Sequence, residues 1–214
     1  MSGRCSTESD GKLNLIDGDR EGTVLTEFFK RISAELRERT AKLNASETVH
    51  LNIPVEPSIG FVQTYYANYS SSEYLKNTFA MDPLFAATGV KNLHEKAEHY
   101  DIGIYFEANG HGTVIFNEEY IDKLDALLKS KTAIIDSPGV QEKPELKADL
   151  EEYFRYLSFY VDACKLSNPS VGDAICVFLL FELALHYLKM EYQDTLKLYT
   201  DLESLTSKIA VKTK

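Results

Sequence analysis

Five consecutive residues, Glu107-Ala108-Asn109-Gly110-His111, place a carboxylate, an amide and an imidazole between two apolar runs. A carboxylate accepts two hydroxyl donors at once, and an asparagine amide both donates and accepts, so the set suits a polyhydroxyl ligand. Gly110 and Gly112 flank the histidine and let other groups approach the backbone closely. The same stretch has a purely structural reading. Asn-Gly between apolar runs is a strong hairpin signal, both turn residues taking φ > 0. That reading accounts for Asn109 and Gly110 and leaves Glu107 and His111 without a task.

The elements that would hold such a tip follow from hydrophobic period. Ile102 to Phe106 and Gly112 to Phe116 read as neighbouring antiparallel strands across the tip. Upstream, 59–65 and 83–87 read as strands, separated by a short helix over 70–79 that a serine cluster can cap. Thr88 opens a helix through His99, with Lys91 in its first turn. Before these, Val24, Leu25, Phe28, Phe29, Ile32 and Leu36 recur at helical spacing, with Asp19 or Thr23 as cap, and 40–57 reads as a loop. Downstream, 118–130 and 148–166 are amphipathic helices around a proline-containing loop. Val171 to Lys189 is apolar on nearly every side, which describes a helix buried in a domain, and a last short helix covers about 191–204. Strands alternating with helices predict an α/β fold: a three-layer α/β/α domain with a four-stranded mixed sheet, its last strand antiparallel, plus additional C-terminal helices.

Composition narrows the function classes. The chain has 214 residues, with 23 Lys and Arg against 33 Asp and Glu, a net charge of −10. This argues against a nucleic-acid partner, which needs a basic face, and against docking on an anionic membrane. Cys5, Cys164 and Cys176 are odd in number and form no C-x-x-C pair, so neither a disulfide framework nor a zinc site is indicated. Residues 1–12 are polar, lack a signal-peptide core and read as a disordered leader. Ala174 to Leu188 is interrupted by Glu182 and His186 and is too short to span a bilayer. A cytoplasmic chain is the expectation.

Asp101 to Thr113, D-I-G-I-Y-F-E-A-N-G-H-G-T, resembles the sugar-recognition loop of the phosphoacetylglucosamine mutases, within the α-D-phosphohexomutase superfamily. Three other segments agree in order and spacing: Leu15-Ile16-Asp17-Gly18-Asp19, Gly60 to Asn68 (G-F-V-Q-T-Y-Y-A-N) and Thr88 to His94 (T-G-V-K-N-L-H). Gly172-Asp173-Ala174-Ile175 matches as well, so the likeness spans roughly 13–200. Tyr69 departs from it, standing where the family has glycine, and 131–147 forms an extra loop.

The resemblance implies a four-domain enzyme that interconverts N-acetylglucosamine 6-phosphate and 1-phosphate, for UDP-N-acetylglucosamine biosynthesis, by double phosphoryl transfer through a bisphosphate. It implies that this chain corresponds to the third, sugar-reading domain over 13–205, with 206–214 starting a hinge to a fourth. It implies sugar contacts from Glu107, Ala108, Asn109, Gly110 and His111, with Lys91 facing the substrate phosphate. The family's phosphoserine loop, its Mg²⁺ loop and its R-P-S-G-T phosphate clamp have no counterpart in these residues. No catalytic residue and no bound Mg²⁺ are therefore expected of this chain, Asp17-Gly18-Asp19 being read as a helix start. N-acetylglucosamine phosphate is the expected partner, bound weakly, in a partial chain inactive alone. The alternatives are a stand-alone sugar-phosphate-binding or protein-interaction module derived from the mutase, and an enzyme that receives the missing domains in trans.

Overall fold

Six strands and nine helices occupy the described residues of the computed structural model, which are 5–9, 12–51, 56–167, 172–203 and 205. First comes an antiparallel pair, β1 (Cys5–Ser9) and β2 (Lys12–Ile16), with Cys5 opposite Ile16 and Ser9 opposite Lys12. The stretch read as a disordered leader thus carries a strand. Its polar composition supplies no core, but a backbone ladder does not need one. The hinge expected over 206–214 lies outside the described residues, as do 1–4, 10–11, Pro54 and Val171.

Helix α1 (Gly18–Asn44) starts at Asp17, whose side chain accepts the Arg20 N–H at 2.9 Å. The cap is therefore neither Asp19 nor Thr23. Both lie in the first turns, and the Thr23 hydroxyl donates to the Asp19 carbonyl at 2.7 Å. The helix continues to Asn44, into the stretch expected as a loop.

The central sheet holds β3 (Ile59–Thr64), β4 (Leu84–Ala86), β5 (Ile102–Phe106) and β6 (Gly112–Phe116) in the order β4-β3-β5-β6. The β3–β4 and β3–β5 pairs are parallel, and β5–β6 is antiparallel. Between β3 and β4 runs α2 (Tyr69–Phe79), capped by Asn68 rather than by the serines, and between β4 and β5 runs α3 (Val90–Ala97). One connection steps outward across the sheet and the other steps back. Right-handed crossovers then place their helices on opposite faces. Accordingly α2 packs with α1, while α3 covers the face formed by Val62, Ala86, Tyr105 and Ile115. The α1 face carries Phe61, Ile104, Phe106 and Val114. The carboxyl ends of β3 and β4 thus lead to opposite sides, which opens a crevice there.

The remaining helices extend the α1 layer. They are α4 (Glu118–Lys129), α5 (Lys131–Ile135), α6 (Pro138–Gln141), α7 (Pro144–Lys165), α8 (Ala174–Leu188) and α9 (Tyr192–Thr195). The loop expected over 131–147 holds α5 and α6, and Pro144 occupies the first turn of α7, where its missing N–H costs nothing. Expectation and structure part most at α8. Leu180, Phe181, Ala184 and Leu185 pack inward, but Ile175, Phe178 and Leu179 are 71%, 47% and 47% exposed. The helix enclosed on all sides is instead the first half of α1, lying between the sheet and α2, α7 and α8. The expected helix over 191–204 is one turn, α9, followed by a non-helical strap. No helix among the described residues is long and apolar enough to cross a membrane.

Candidate functional site

The tip between β5 and β6 is a type I turn closed by a glycine rather than a two-residue turn. Gly110 N–H donates to the Glu107 carbonyl at 2.9 Å, and Glu107 N–H to the His111 carbonyl at 2.8 Å. Gly110 alone takes positive φ, at 88°; Asn109 does not. The loop is thus one residue longer than the Asn-Gly signal implied, and the bulge re-aims the side chains around it. Asn109 Oδ1 accepts the His111 N–H at 2.9 Å, and its Nδ2 faces Glu107 Oε2 at 3.4 Å. Carboxylate and amide therefore converge on one spot.

Glu107 is only 6% exposed, so something must satisfy its oxygens. Oε1 accepts the Gly89 N–H at 3.0 Å, from the residue that opens α3. Two strands and the α3 N-terminus are thereby locked at one point. From beneath, α1 presses on the same loop, with Gly18 N–H donating to the Ala108 carbonyl at 3.3 Å. A Cβ at Gly18 would stand 2.0 Å from the Glu107 carbonyl oxygen, so only glycine permits the approach. This gives Asp17-Gly18-Asp19 a task that its sequence did not disclose.

A second tier of polar groups underlies the loop. Asp19 is buried, its Oδ1 accepting from Gln63 Nε2 at 2.9 Å and its Oδ2 from the Asn68 N–H at 2.8 Å. Burial pushes its carboxyl up to about 6, against those two hydrogen bonds. Gln63 also donates to Ser71 and accepts from Ser72. Arg20 is buried beside them. It donates to the Thr195 carbonyl at 3.0 Å and to Asp201 at 2.9 Å, with its guanidinium 4.4 Å from the Tyr199 ring centre. Asn68 bonds the backbone of Leu202 through both ends of its amide. The strap is thus fastened to the first turn of α1 and to the β3–α2 loop.

Lys91 is exposed in the first turn of α3 and has no ion-pair partner among the described residues. His111 is exposed beside Asn109. His94 is structural, its ring held between the Tyr105 hydroxyl at 3.1 Å and Glu98 at 3.0 Å. Tyr69 occupies the first position of α2 with its side chain outward, so its bulk strains nothing. Sequence reasoning passed over Thr64, Tyr66 and Gly89, which reach this corner through parallel pairing and a crossover. The V-Q-T-Y-Y-A-N likeness was the only signal for the first two. Among the described residues no three His, Cys, Asp or Glu side chains converge to hold a metal ion.

A family model described as Phosphoacetylglucosamine mutase AMG1, domain III, matches residues 17–190. The chain is 36% identical to the phosphoacetylglucosamine mutase of Oryza sativa, over 98% of this chain and 33% of that protein. To the Saccharomyces cerevisiae enzyme it is 39% identical, over 95% and 31%. A solved apo N-acetylglucosamine-phosphate mutase superposes with a TM-score of 0.66 at 34% identity, covering 93% of this chain and 32% of that one. The Aspergillus fumigatus enzyme, solved with GlcNAc-6P and magnesium, gives 0.61 at 32% identity, covering 93% and 33%. The chain spans about a third of the length of the curated relatives it matches. With a family model covering most of its length, the chain belongs to the phosphoacetylglucosamine mutase family and corresponds to its domain III.

Proposed function

We propose that this chain reads the sugar of N-acetylglucosamine phosphate, as one wall of a mutase that interconverts the 6- and 1-phosphates. The observation that carries this reading is the convergence of Glu107 and Asn109, with Glu107 fixed by the Gly89 N–H. One carboxylate oxygen is used by the fold. The other has a long contact to Asn109, with the Tyr66 phenol nearby, and keeps lone pairs for sugar hydroxyls. Asn109 has its oxygen occupied by His111 N–H, so its amide nitrogen is the group available to donate. Ala108 and Gly110 contribute backbone to this rim, and His111 stands at its open side. Lys91, on the same end of α3 that holds Glu107, offers its ammonium to the phosphate.

Binding and orientation are what these residues supply. Phosphoryl transfer needs a carrier, charge neutralisation and a phosphate clamp, which the family motifs provide in segments that this sequence lacks. Magnesium would neutralise charge on the phosphoryl group where it binds in a family member. The carboxylates here do not fit it. Asp17 caps α1, both Asp19 oxygens accept protein N–H groups, and the Arg20 guanidinium is adjacent.

The test is a titration of the ¹⁵N-labelled chain with N-acetylglucosamine 6-phosphate. We expect saturable shifts at Glu107–His111 and Gly89 in the millimolar range, as a few polar contacts allow. Glu107→Gln should weaken binding about tenfold, the worth of a hydrogen bond to a charged group. Absence of saturable shifts, or equal affinity in the variant, overturns the reading. Turnover by the isolated chain with Mg²⁺ and a sugar bisphosphate would overturn its restriction to binding.

A further inference from the structure

Thr64 is the last residue of β3, one step beyond the Gln63–Phe106 rung, which brings it level with Glu107. Val62 and Tyr105 lie on the α3 face of the sheet. Side chains alternate along a strand, so Thr64 and Glu107, each two residues further on, project to that same face. Thr64 is 0% exposed, and among the described residues its hydroxyl has no hydrogen-bond partner. A buried hydroxyl without a partner destabilises a fold, and a valine of the same shape would avoid the cost. Such a group in the floor of a polar site calls for an explanation.

Tyr66 is its neighbour. The residue follows β3 in a turn and is 51% exposed. Burial of part of the ring and the nearby Glu107 and Asp19 charges raise its phenol above the ordinary range, so it stays protonated and able to donate. Its phenol lies close enough to Thr64 and to Glu107 for each to act on it, while the Thr64 hydroxyl still has no partner at hydrogen-bond geometry.

We propose that the Thr64 hydroxyl and the Tyr66 phenol form a second polar subsite of the sugar site, in which Thr64 bonds a hydroxyl or acetamido group of the ligand held by Glu107 and Tyr66 closes over it. This deepens the sugar-binding reading and rests on it. The subsite makes these two residues specificity determinants, because a ligand lacking the bonded group leaves Thr64 unpaired. It also makes the unpaired hydroxyl a functional feature, retained against stability in the free chain.

The experiment compares wild type, Thr64→Val, Tyr66→Phe and Glu107→Gln by thermal melting and by NMR titration with N-acetylglucosamine 6-phosphate. Thr64→Val should melt at or above wild type and yet bind about three- to tenfold more weakly, the effect of one lost hydrogen bond. Tyr66→Phe, on an exposed turn, should melt as wild type and bind weaker by a similar factor. A purely structural threonine would give a lower melting point and unchanged affinity, and that result overturns the proposal. Wild-type affinity in both Thr64→Val and Tyr66→Phe, with binding lost in Glu107→Gln, overturns the subsite while the sugar site stands. No saturable binding by wild type overturns both.

Discussion

Replacing Asp19 by asparagine tests whether the tier beneath the loop is built as described. The Asp19 carboxyl lies at about 6 in the fold, against 3.8 ordinarily, chiefly because burial disfavours its charge. Between those values the native state keeps a proton that the unfolded chain has released. Stability therefore falls as pH rises through this window, and from about pH 4.5 to about pH 7 this one group removes about 2 kcal/mol. Asparagine has the same shape and no charge. Its oxygen can keep the Asn68 N–H bond, but its amide then meets the Gln63 amide, which already donates to Ser71. Gln63 must turn over, at a cost of about 1 kcal/mol that does not depend on pH.

The assay is urea unfolding of both proteins across that pH range. Wild type minus Asp19→Asn should be about 2 kcal/mol more favourable at the acid end. Other carboxylates pull the opposite way: Lys123 holds Glu119 low and Lys197 holds Asp194 low, so each favours the fold less as acid protonates it. Both proteins share these groups, and the difference cancels them. Parallel stability curves would show that Asp19 is not strained by burial. A difference growing toward neutral pH would show that its charge is favourable, and the account of the buried tier would be wrong.

Gly18→Ala should cost about 2–3 kcal/mol, because its Cβ meets backbone rather than a movable side chain; the amide signals of Ala108–His111 should shift with it, and full stability would show that α1 does not press on the loop. Arg20→Met keeps the apolar stem and removes the guanidinium, so about 2 kcal/mol is lost and limited proteolysis cuts first between 196 and 203; an unchanged cleavage pattern would refute the clasp. Phe178→Ser should stay within about 0.5 kcal/mol of wild type while Phe181→Ala loses about 3–4 kcal/mol, as denaturant melts will show. Equal losses would mean that α8 is enclosed after all.

The order of strands and helices was legible because period-2 and period-3.6 patterns are local, and the antiparallel last strand followed from its short connection. The two helices read least well were misjudged for one reason. Hydropathy reports what a helix can bury, not what surrounds it. Thus α8 looked enclosed although one side of it faces outward. By contrast α1 looked amphipathic, yet its first turns are buried together with Asp19, Arg20, Glu21 and Glu27. Charges such as Asp19, Arg20 and Glu27 tolerate that position because each has a specific partner: Gln63 for Asp19, the strap for Arg20, and Tyr74 for Glu27, whose Oε2 accepts the phenol at 2.6 Å. Apart from Arg31, which also pairs with Glu27 one turn on, these partners are distant in sequence and leave no local trace. The caps were missed because they lie outside the stretches used to find the helices: Asp17 precedes Val24, where the apolar pattern of α1 begins, by seven residues, and Asn68 precedes the expected start of α2 by two.

The candidate site divides along the same line. Glu107, Asn109, Gly110 and His111 were legible because a turn gathers neighbours in sequence, although the turn type was not, since one residue more or less in the loop changes which of them takes φ > 0. Thr64, Gly89 and Gly18 were not legible as site residues, because parallel pairing, a crossover and a helix start bring them to the same corner from three separate segments. That division has a mechanistic consequence. Residues on the turn set which groups the site offers, and the exposed His111 can be exchanged without disturbing the fold, whereas Glu107 and Gly110 also hold the loop itself. Residues converging from the sheet and helices determine where those groups stand, and a substitution there acts through position. Losses from Glu107→Gln should therefore be repaired by no change elsewhere, whereas losses from Gly18→Ala should be relieved by any change that lets the loop retreat from α1.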